Sequence, residues 1–302
     1  MMNFCMEQAR RDTGTTRVEA GVSFVADTFP AANHPCVAAG QWATGILQYG
    51  IGHGTSVASV LGGRRYGVAK EVILTPVRVF GCNGGANSTR FLDGLDWIRV
   101  HYASNGIPAV VNVSGYVLRL DPGVANTDRD AIEASVNQTI AAGLVFVASA
   151  NNQNGDACWT SPAHIPGVIT VAGSALGTSF GSVWDTTWVS PDPVYNEDTN
   201  VDPGTSWGVC VDIFAPAHNI RSAHVTSATA FRTQNHSGTS FAAPHVAGSV
   251  ARWLQGRSKS TTNPASAWSF LNAYAGLDNL VDTVDNPLNG SPNKLIHMAT
   301  TD

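Results

Sequence analysis

The sequence predicts an α/β fold with a central, mainly parallel sheet and helices on both of its faces. Three observations carry that prediction. Short runs of β-branched and apolar residues alternate along the chain with longer segments of helical periodicity. The short runs are apolar throughout rather than at every second position, as strands covered on two faces must be. No linker, internal repeat or low-complexity tract breaks the 302 residues. A size prior alone gives about two domains, but residues 1–302 read as one.

The elements follow in order. "GVSFVA" (Gly21–Ala26) is an apolar β-type run, and "GHGTSVASVLGG" (Gly52–Gly63) is a small-residue helix that begins at His53. Phe91, Leu95, Ile98 and Tyr102 recur at spacings of four, three and four, and Ile132, Val136 and Ile140 recur every four, so each set marks a helix face. Between and after them lie "PAVVNVS" (Pro108–Ser114), "GLVFVAS" (Gly143–Ser149), "GVITVAG" (Gly167–Gly173) and "VDIFAP" (Val211–Pro216), read as buried strands. Strand, helix, strand in sequence implies βαβ crossovers. Thr178–Ser206, with its Trp, Pro and Asp, reads as a long surface insertion. A second small-residue helix follows in "HSGTSFAAPHVAG" (His236–Gly248), with Ser240 in its first turn.

Composition narrows the functional classes. Hydrophobic residues are 43% of the chain, enough for a large core, while only 13% are charged and the net charge is −5. These values argue against a disordered chain and against a nucleic-acid binder, which needs a basic face. No apolar run approaches the roughly 18 residues of a membrane span. "MMNFCMEQARR" lacks the apolar stretch of an export signal. The chain is therefore expected to be soluble, with any export signal or pro-segment lying outside it. Five dispersed cysteines match no zinc pattern and fit either one or two disulfides with a free thiol or a set of buried thiols. Sequons occur at Asn87, Asn112, Asn137 and Asn235; Asn112 falls in a buried strand, so most are read as chance matches.

His53 and Ser240 each open a helix of small residues. A serine there sees the positive end of the helix dipole and has a backbone N–H beside it, both suited to holding an oxyanion. Ala242, Ala243, Ala247 and Gly248 let the helix lie close to the sheet, and Pro244 sits where a lost hydrogen bond is best tolerated. The triplet Gly-Thr-Ser occurs three times, so by itself it decides nothing. One copy forms "GTSFG" (Gly177–Gly181), the nucleophile-elbow pattern of esterases, but "SVWDTTWVSPDP" follows it and cannot be the helix that such an elbow requires.

"GHGTSVA" and "SGTSFAAPHVAG" resemble the histidine and serine motifs of the subtilisin-like serine peptidases, closest to the proteinase K and aqualysin branch. "GVAKEVILTPVRVFGCNGGANSTRFLDGLDWI", "ACWTSPAHIPGVITVAGS", "CVDIFAPAHNI" and "GSPNKLI" extend the resemblance over nearly the full length. It implies a three-layer subtilisin-like fold and a triad in the chain order Asp, His, Ser. Asp-Thr occurs at Asp12 and at Asp27. Asp12 follows the charged "MEQARR", whereas Asp27 ends an apolar strand and precedes His34-Pro35 at the spacing of the branch. A triad aspartate must hold the imidazole from a desolvated position, so Asp27 is chosen. Phe29 departs from the glycine of the family.

The resemblance assigns further roles. Asn151, after Ala148, Ser149 and Ala150, matches the oxyanion donor, with the adjacent Asn152 as the alternative. Ser114, Gly115 and Tyr116, with Ala148, Ser149 and Ala150, match the edges that bind extended substrate; Tyr116 stands where glycine is expected. Cys158 and Cys210 match a paired position, while Cys36–Cys82 is a weaker match. A structural calcium is implied at Asp212 with the carbonyls of Pro166 and Val168, an oxygen-only set that suits it; the chemistry itself needs no cofactor. The expected activity is a secreted, monomeric serine endopeptidase acting on polypeptides through an acyl-enzyme, more active on the alkaline side because His53 must be neutral to act as base. A pro-segment or inhibitor is a further expected partner; nucleic acid and membrane are not. The alternative is an impaired homologue that binds extended peptides without cleaving them, a reading fed by Phe29 and Tyr116.

Overall fold

The computed structural model of the chain describes residues 17–25, 53–81, 87–120, 127–175, 182–183, 204–223, 237–277, 280 and 288–297. Along it lie β1 (Val22–Ser23), α1 (His53–Gly62), β2 (Val77–Arg78), α2 (Ser88–Ser104), β3 (Val110–Val113) and β4 (Leu118–Arg119). Then come α3 (Arg129–Ala141), β5 (Val145–Ser149), β6 (Thr160–Ser161), β7 (Ile169–Ala175), β8 (Ser182–Val183) and β9 (Ile213–Pro216). α4 (Thr239–Leu254), α5 (Pro264–Tyr274), β10 (Gly276–Leu277) and β11 (Lys294–Leu295) complete the described elements.

The main sheet runs in the order β10-β11-β9-β7-β5-β3, parallel from β11 to β3, with β10 and β8 joined antiparallel. The four apolar runs read as buried strands are its β3, β5, β7 and β9. β5 and β7 begin two residues later than their runs because Gly143 (φ 96°) and Gly167 (φ 89°) turn the chain first. The run before Asp27 is also extended: β1 pairs in parallel with β2, and the Phe24 amide donates to the Arg78 carbonyl at 2.9 Å.

The period of two along each strand divides the core between two faces. Val145 and Val147 of β5, Val171 of β7 and Ile213 of β9 pack with Leu61, Ala242, Ala243, Val246, Ala247 and Leu271, from α1, α4 and α5. Phe146 and Ala148 point to the other face, with Phe91, Leu95 and Tyr102 of α2 and Ile132 and Val136 of α3. Both predicted helix stripes are thus core-facing, and the sheet is the middle of three layers. α2 is capped by Asn87, whose Oδ1 accepts from the Arg90 amide at 3.2 Å.

α4 packs closely on α1. A β-carbon at Gly248 would sit 3.0 Å from the Leu61 carbonyl and 2.7 Å from a Val68 side-chain carbon. That close approach brings α4 against α1, with Phe241 packed on Val57 and Val60. Most of the segment read as a surface insertion lies outside the described residues. Its end does not follow the surface reading: Thr205 and Ser206 are buried, bonded to the Gly173 amide and the Asn151 carbonyl. The elbow-like Gly177–Gly181 also lies outside, but the described residues that follow it form strand β8.

Candidate active site

The site is assembled at the carboxyl ends of parallel strands, where an open α/β sheet offers its crevice. β3 ends in Val113 and leads into Ser114; β5 ends in Ser149 and leads through Ala150 to Asn151. Over these ends stand the N-termini of α1 and α4. His53 is the first residue of α1 and is buried, and its ring meets the edge of the Phe241 ring at 5.9 Å between centroids. Phe241 follows Ser240 in α4, so the contact joins the first turns of the two helices. Asp27, with Phe29 and His34, lies outside the described residues.

Ser240 is held through its own carbonyl. Pro244 has no N–H, so the intrahelical bond to the Ser240 carbonyl cannot form. The Ser114 hydroxyl replaces it, donating to that carbonyl at 2.7 Å, while Asn112 Nδ2 donates to Ser114 Oγ at 3.0 Å. The Ser240 hydroxyl lies 3.4 Å from the Ser114 carbonyl. Ser114 therefore acts through its side chain as well as lying on the edge assigned to substrate. Ser114→Ala leaves the part-buried Ser240 carbonyl without this donor and is expected to lower the unfolding free energy by about 1 kcal/mol. The check is the shift of the urea midpoint at constant m-value; an unchanged midpoint would contradict the assignment.

Asn151 has a left-handed backbone (φ 84°), a conformation that asparagine tolerates better than most residues. The Ser206 amide donates to its carbonyl at 2.9 Å, and its Oδ1 accepts from the Asn152 amide at 2.7 Å. The oxygen of the side chain is thereby engaged, and no acceptor for Nδ2 appears among the described residues. Asn152 is arranged differently. Its Oδ1 accepts from both the amide and the hydroxyl of Thr239, at 2.9 and 2.7 Å. Asn152 thereby ties down the start of α4, and no acceptor for its Nδ2 appears among the described residues either.

Of the residues matched to substrate binding, Gly115 is half-buried, with Phe80 beneath it, and a β-carbon there would lie 3.3 Å from Phe80 Cζ. Tyr116 is 42% exposed, so its side chain stands at the rim instead of filling the floor. Ala148, Ser149 and Ala150 are buried, the first two inside β5, and the Ala150 amide donates to the Val171 carbonyl. The Cys158–Cys210 disulfide, with Cα atoms 5.3 Å apart, joins the segment after Asn151 to the one before β9, as the resemblance implied. Cys5, Cys36 and Cys82 lie outside the described residues. His245, four residues beyond Phe241, donates to the Phe241 carbonyl; burial pushes its pKa down, so the ring is neutral and structural.

Asp212 sits just before β9. Its Oδ2 accepts from the Thr170 amide at 2.8 Å, two residues from Val168, and its own amide donates to the Thr170 carbonyl. Burial pushes its carboxyl up to about 6, against the Thr170 hydrogen bond and the Lys294 charge, which both pull it down. No group of three or more His, Cys, Asp or Glu side chains suited to a metal occurs among the described residues.

Comparison with known proteins bears on the same residues. The Subtilase family is matched over residues 44–287, a span that contains His53, Asn151 and Ser240 and begins after Asp27. "Extracellular serine proteinase" of Thermus sp. is 37% identical over 246 residues, 82% of this chain and 50% of that protein. "Alkaline serine exoprotease A" of Vibrio alginolyticus is 33% identical over 249 residues, 82% of this chain and 38% of that protein. The chain thus spans half or less of the length of these relatives. The crystal structure of a cold adapted subtilisin-like serine proteinase superposes with a TM-score of 0.68 at 30% identity, covering 98% of this chain and 86% of that one.

Proposed function

Because this chain belongs to the subtilase family, we propose that it is a serine endopeptidase working through an acyl-enzyme. Ser240 Oγ attacks the peptide carbonyl while His53 takes its proton, and Asp27 holds the imidazole and supports its charge. The oxyanion of the tetrahedral intermediate is bound by Asn151 Nδ2 and the Ser240 amide. Collapse breaks the C–N bond, and His53 returns the proton to the leaving amine. Water, deprotonated by His53, then attacks the ester carbonyl and restores Ser240. Substrate lies as an added strand along Ser114–Tyr116, with Tyr116 limiting what fits at that rim.

One observation carries the reading: the N-termini of α1 and α4 meet over the ends of β3 and β5, with Phe241 against the His53 ring. The test is hydrolysis of an extended peptide amide. Cleavage is expected, falling as the pH drops below the histidine range, where the base is protonated. A rate that does not fall there, or cleavage of esters only, would contradict it. We place the protein outside the cell as a monomer acting on polypeptides, open to control by a pro-segment or inhibitor; its net charge of −5 gives no support for a nucleic-acid partner. The Thermus relative, itself named extracellular, and the Cys158–Cys210 disulfide support export. Among the described residues no helix is long and apolar enough to cross a membrane.

A structural calcium fits the Asp212 region, because a desolvated carboxylate needs a cation to remain charged. Asp212 would hold it with the Pro166 and Val168 carbonyls, and the ion would stabilise the fold and take no part in the chemistry. The folded state binds the Asp212 proton more tightly than the unfolded chain, with a carboxyl raised from 3.8 to about 6. Without a cation, stability is therefore greater below the ordinary carboxylate range and is lost as pH rises through about 6, a cost on the order of 3 kcal/mol. In chelator, Tm is expected to fall between pH 4 and 7, and added calcium is expected to restore it at pH 7 but not at pH 4. Equal Tm values with calcium and chelator at pH 7 would remove the site.

A further inference from the structure

We infer that a further β-strand, supplied by the residues that precede Arg17, inserts between β2 and β3 and joins the β1–β2 pair to the main sheet. A cavity of about 740 Å³ has Val77 and Val79 of β2 among its lining residues, together with the whole of β3. Its remaining walls come from the cores on the two faces of the sheet. Leu61 and Leu254 belong to one core, and Phe91 and Leu95 to the other. The cavity therefore lies in the layer of the sheet itself.

Both strands turn open edges toward it. Along a parallel strand, successive residues direct their N–H and C=O to opposite sides. The Val145 amide donates to the Ala109 carbonyl, and in this register Val111 also faces β5, so the backbone groups of Val110 and Asn112 face away from it. On β2, the Pro76 and Arg78 carbonyls accept from β1, which leaves Val77 and Val79 facing the other way. Among the described residues, nothing bonds to the backbone of these four. Asn112 is 8% exposed, and its Oδ1 also lacks a partner among the described residues. Buried groups of this kind need partners, and an inserted strand supplies them. Ile73 and Ile107, which also line the cavity, are 50% and 57% exposed, apolar surface that the same segment would cover.

The occupant must be apolar on both faces and must reach the cavity. Arg17 is held at the cavity wall. Its Nη1 donates to the Gly62 carbonyl at 2.9 Å and the Val72 carbonyl at 3.3 Å, and its own carbonyl accepts from the Leu74 amide at 2.7 Å. Val72 and Leu74 both line the cavity, so the residues before Arg17 start beside it, an advantage over any separate peptide. Met1–Met6, "MMNFCM", is apolar at five of six positions, and a strand of that length spans about 20 Å. Glu7–Thr16 adds ten residues, roughly 33 Å when extended, enough to join that strand to Arg17 in either direction. The inserted strand would hold β3, and with it the hydrogen bonds from Asn112 to Ser114 and from Ser114 to the Ser240 carbonyl.

The test is photo-crosslinking of the whole chain with photo-methionine in place of methionine, the adducts being located by mass spectrometry. Of the four methionines, Met1, Met2 and Met6 lie in the segment, and Met298→Leu removes the fourth. Adducts from Met2 or Met6 to residues 72–79 or 107–113 of the same chain are expected. Adducts to those residues only between chains, in a species of twice the mass, would give the cavity to a second copy and overturn the inference. Adducts elsewhere, or none, would overturn it as well. Phe4→Asp, which puts a charge into the apolar strand, is expected to speed hydrogen exchange at the Val110 and Asn112 amides by roughly tenfold or more. Unchanged exchange there would contradict the inserted strand, and if Phe4→Asp does not fold, the crosslinks still decide. Strand insertion is independent of the peptidase reading: an inert chain with these crosslinks loses only that reading, and an active chain without them loses only the strand.

Discussion

Replacing Ser240 with alanine is expected to lower kcat on a peptide amide by roughly 10⁴–10⁶-fold, and adding His53→Ala should cost nothing further. Nucleophile and base act on a single proton, so once either is lost the other has nothing to do. What survives is the rate supplied by binding and by the oxyanion donors, which both variants keep. The fold should also survive. Ser240 makes its anchoring contact through the backbone carbonyl to Ser114, and that carbonyl is present in alanine. The measurement is kcat of both single variants and of the pair, with urea midpoints as the control. Losses that multiply in the pair would mean that the two residues act independently, contrary to the mechanism.

The second large effect belongs to Asn151. Asn151→Gly is the informative change, because glycine adopts the φ of 84° without strain and removes only the side chain. Loss of one oxyanion donor is expected to lower kcat by roughly 10²–10³-fold with KM little changed, because the bond forms only as the oxyanion develops. The Ser206 bond to the Asn151 carbonyl is retained, so stability should change little. A rise in KM at constant kcat would instead make Asn151 a ground-state binding residue.

The contrast between Asn151 and Asn152 shows where sequence reasoning stops. Adjacent and identical in type, they differ in backbone conformation and in what faces them. Thr239 is brought to Asn152 from 87 residues away by the packing of α4 on the sheet. The same holds for the Ser114 hydroxyl, which meets the Ser240 carbonyl across 126 residues, and for Ser206 behind Asn151. The missing N–H of Pro244 did signal a carbonyl in need of a donor, but not which donor. By contrast, β5, β7 and β9 were legible because strands buried on two faces must be apolar throughout, and Ile132 and Val136 were legible from their period. The placement of His53 and Ser240 at helix starts was legible from the small-residue runs that follow them. The Cys158–Cys210 pair came from resemblance, since the spacing of five cysteines left the pairing open. Thr205 and Ser206 misled because small polar residues read as surface, whereas here their hydrogen bonds are spent inside the fold.

The most direct test of the central claim is fluorophosphonate labelling of the purified folded chain, with the modified peptide located by mass spectrometry. An assembled nucleophile, base and oxyanion hole predict a single stable adduct on Ser240, lost in Ser240→Ala and slowed in Asn151→Gly. No adduct on a demonstrably folded chain, or one on a different serine, would contradict the account.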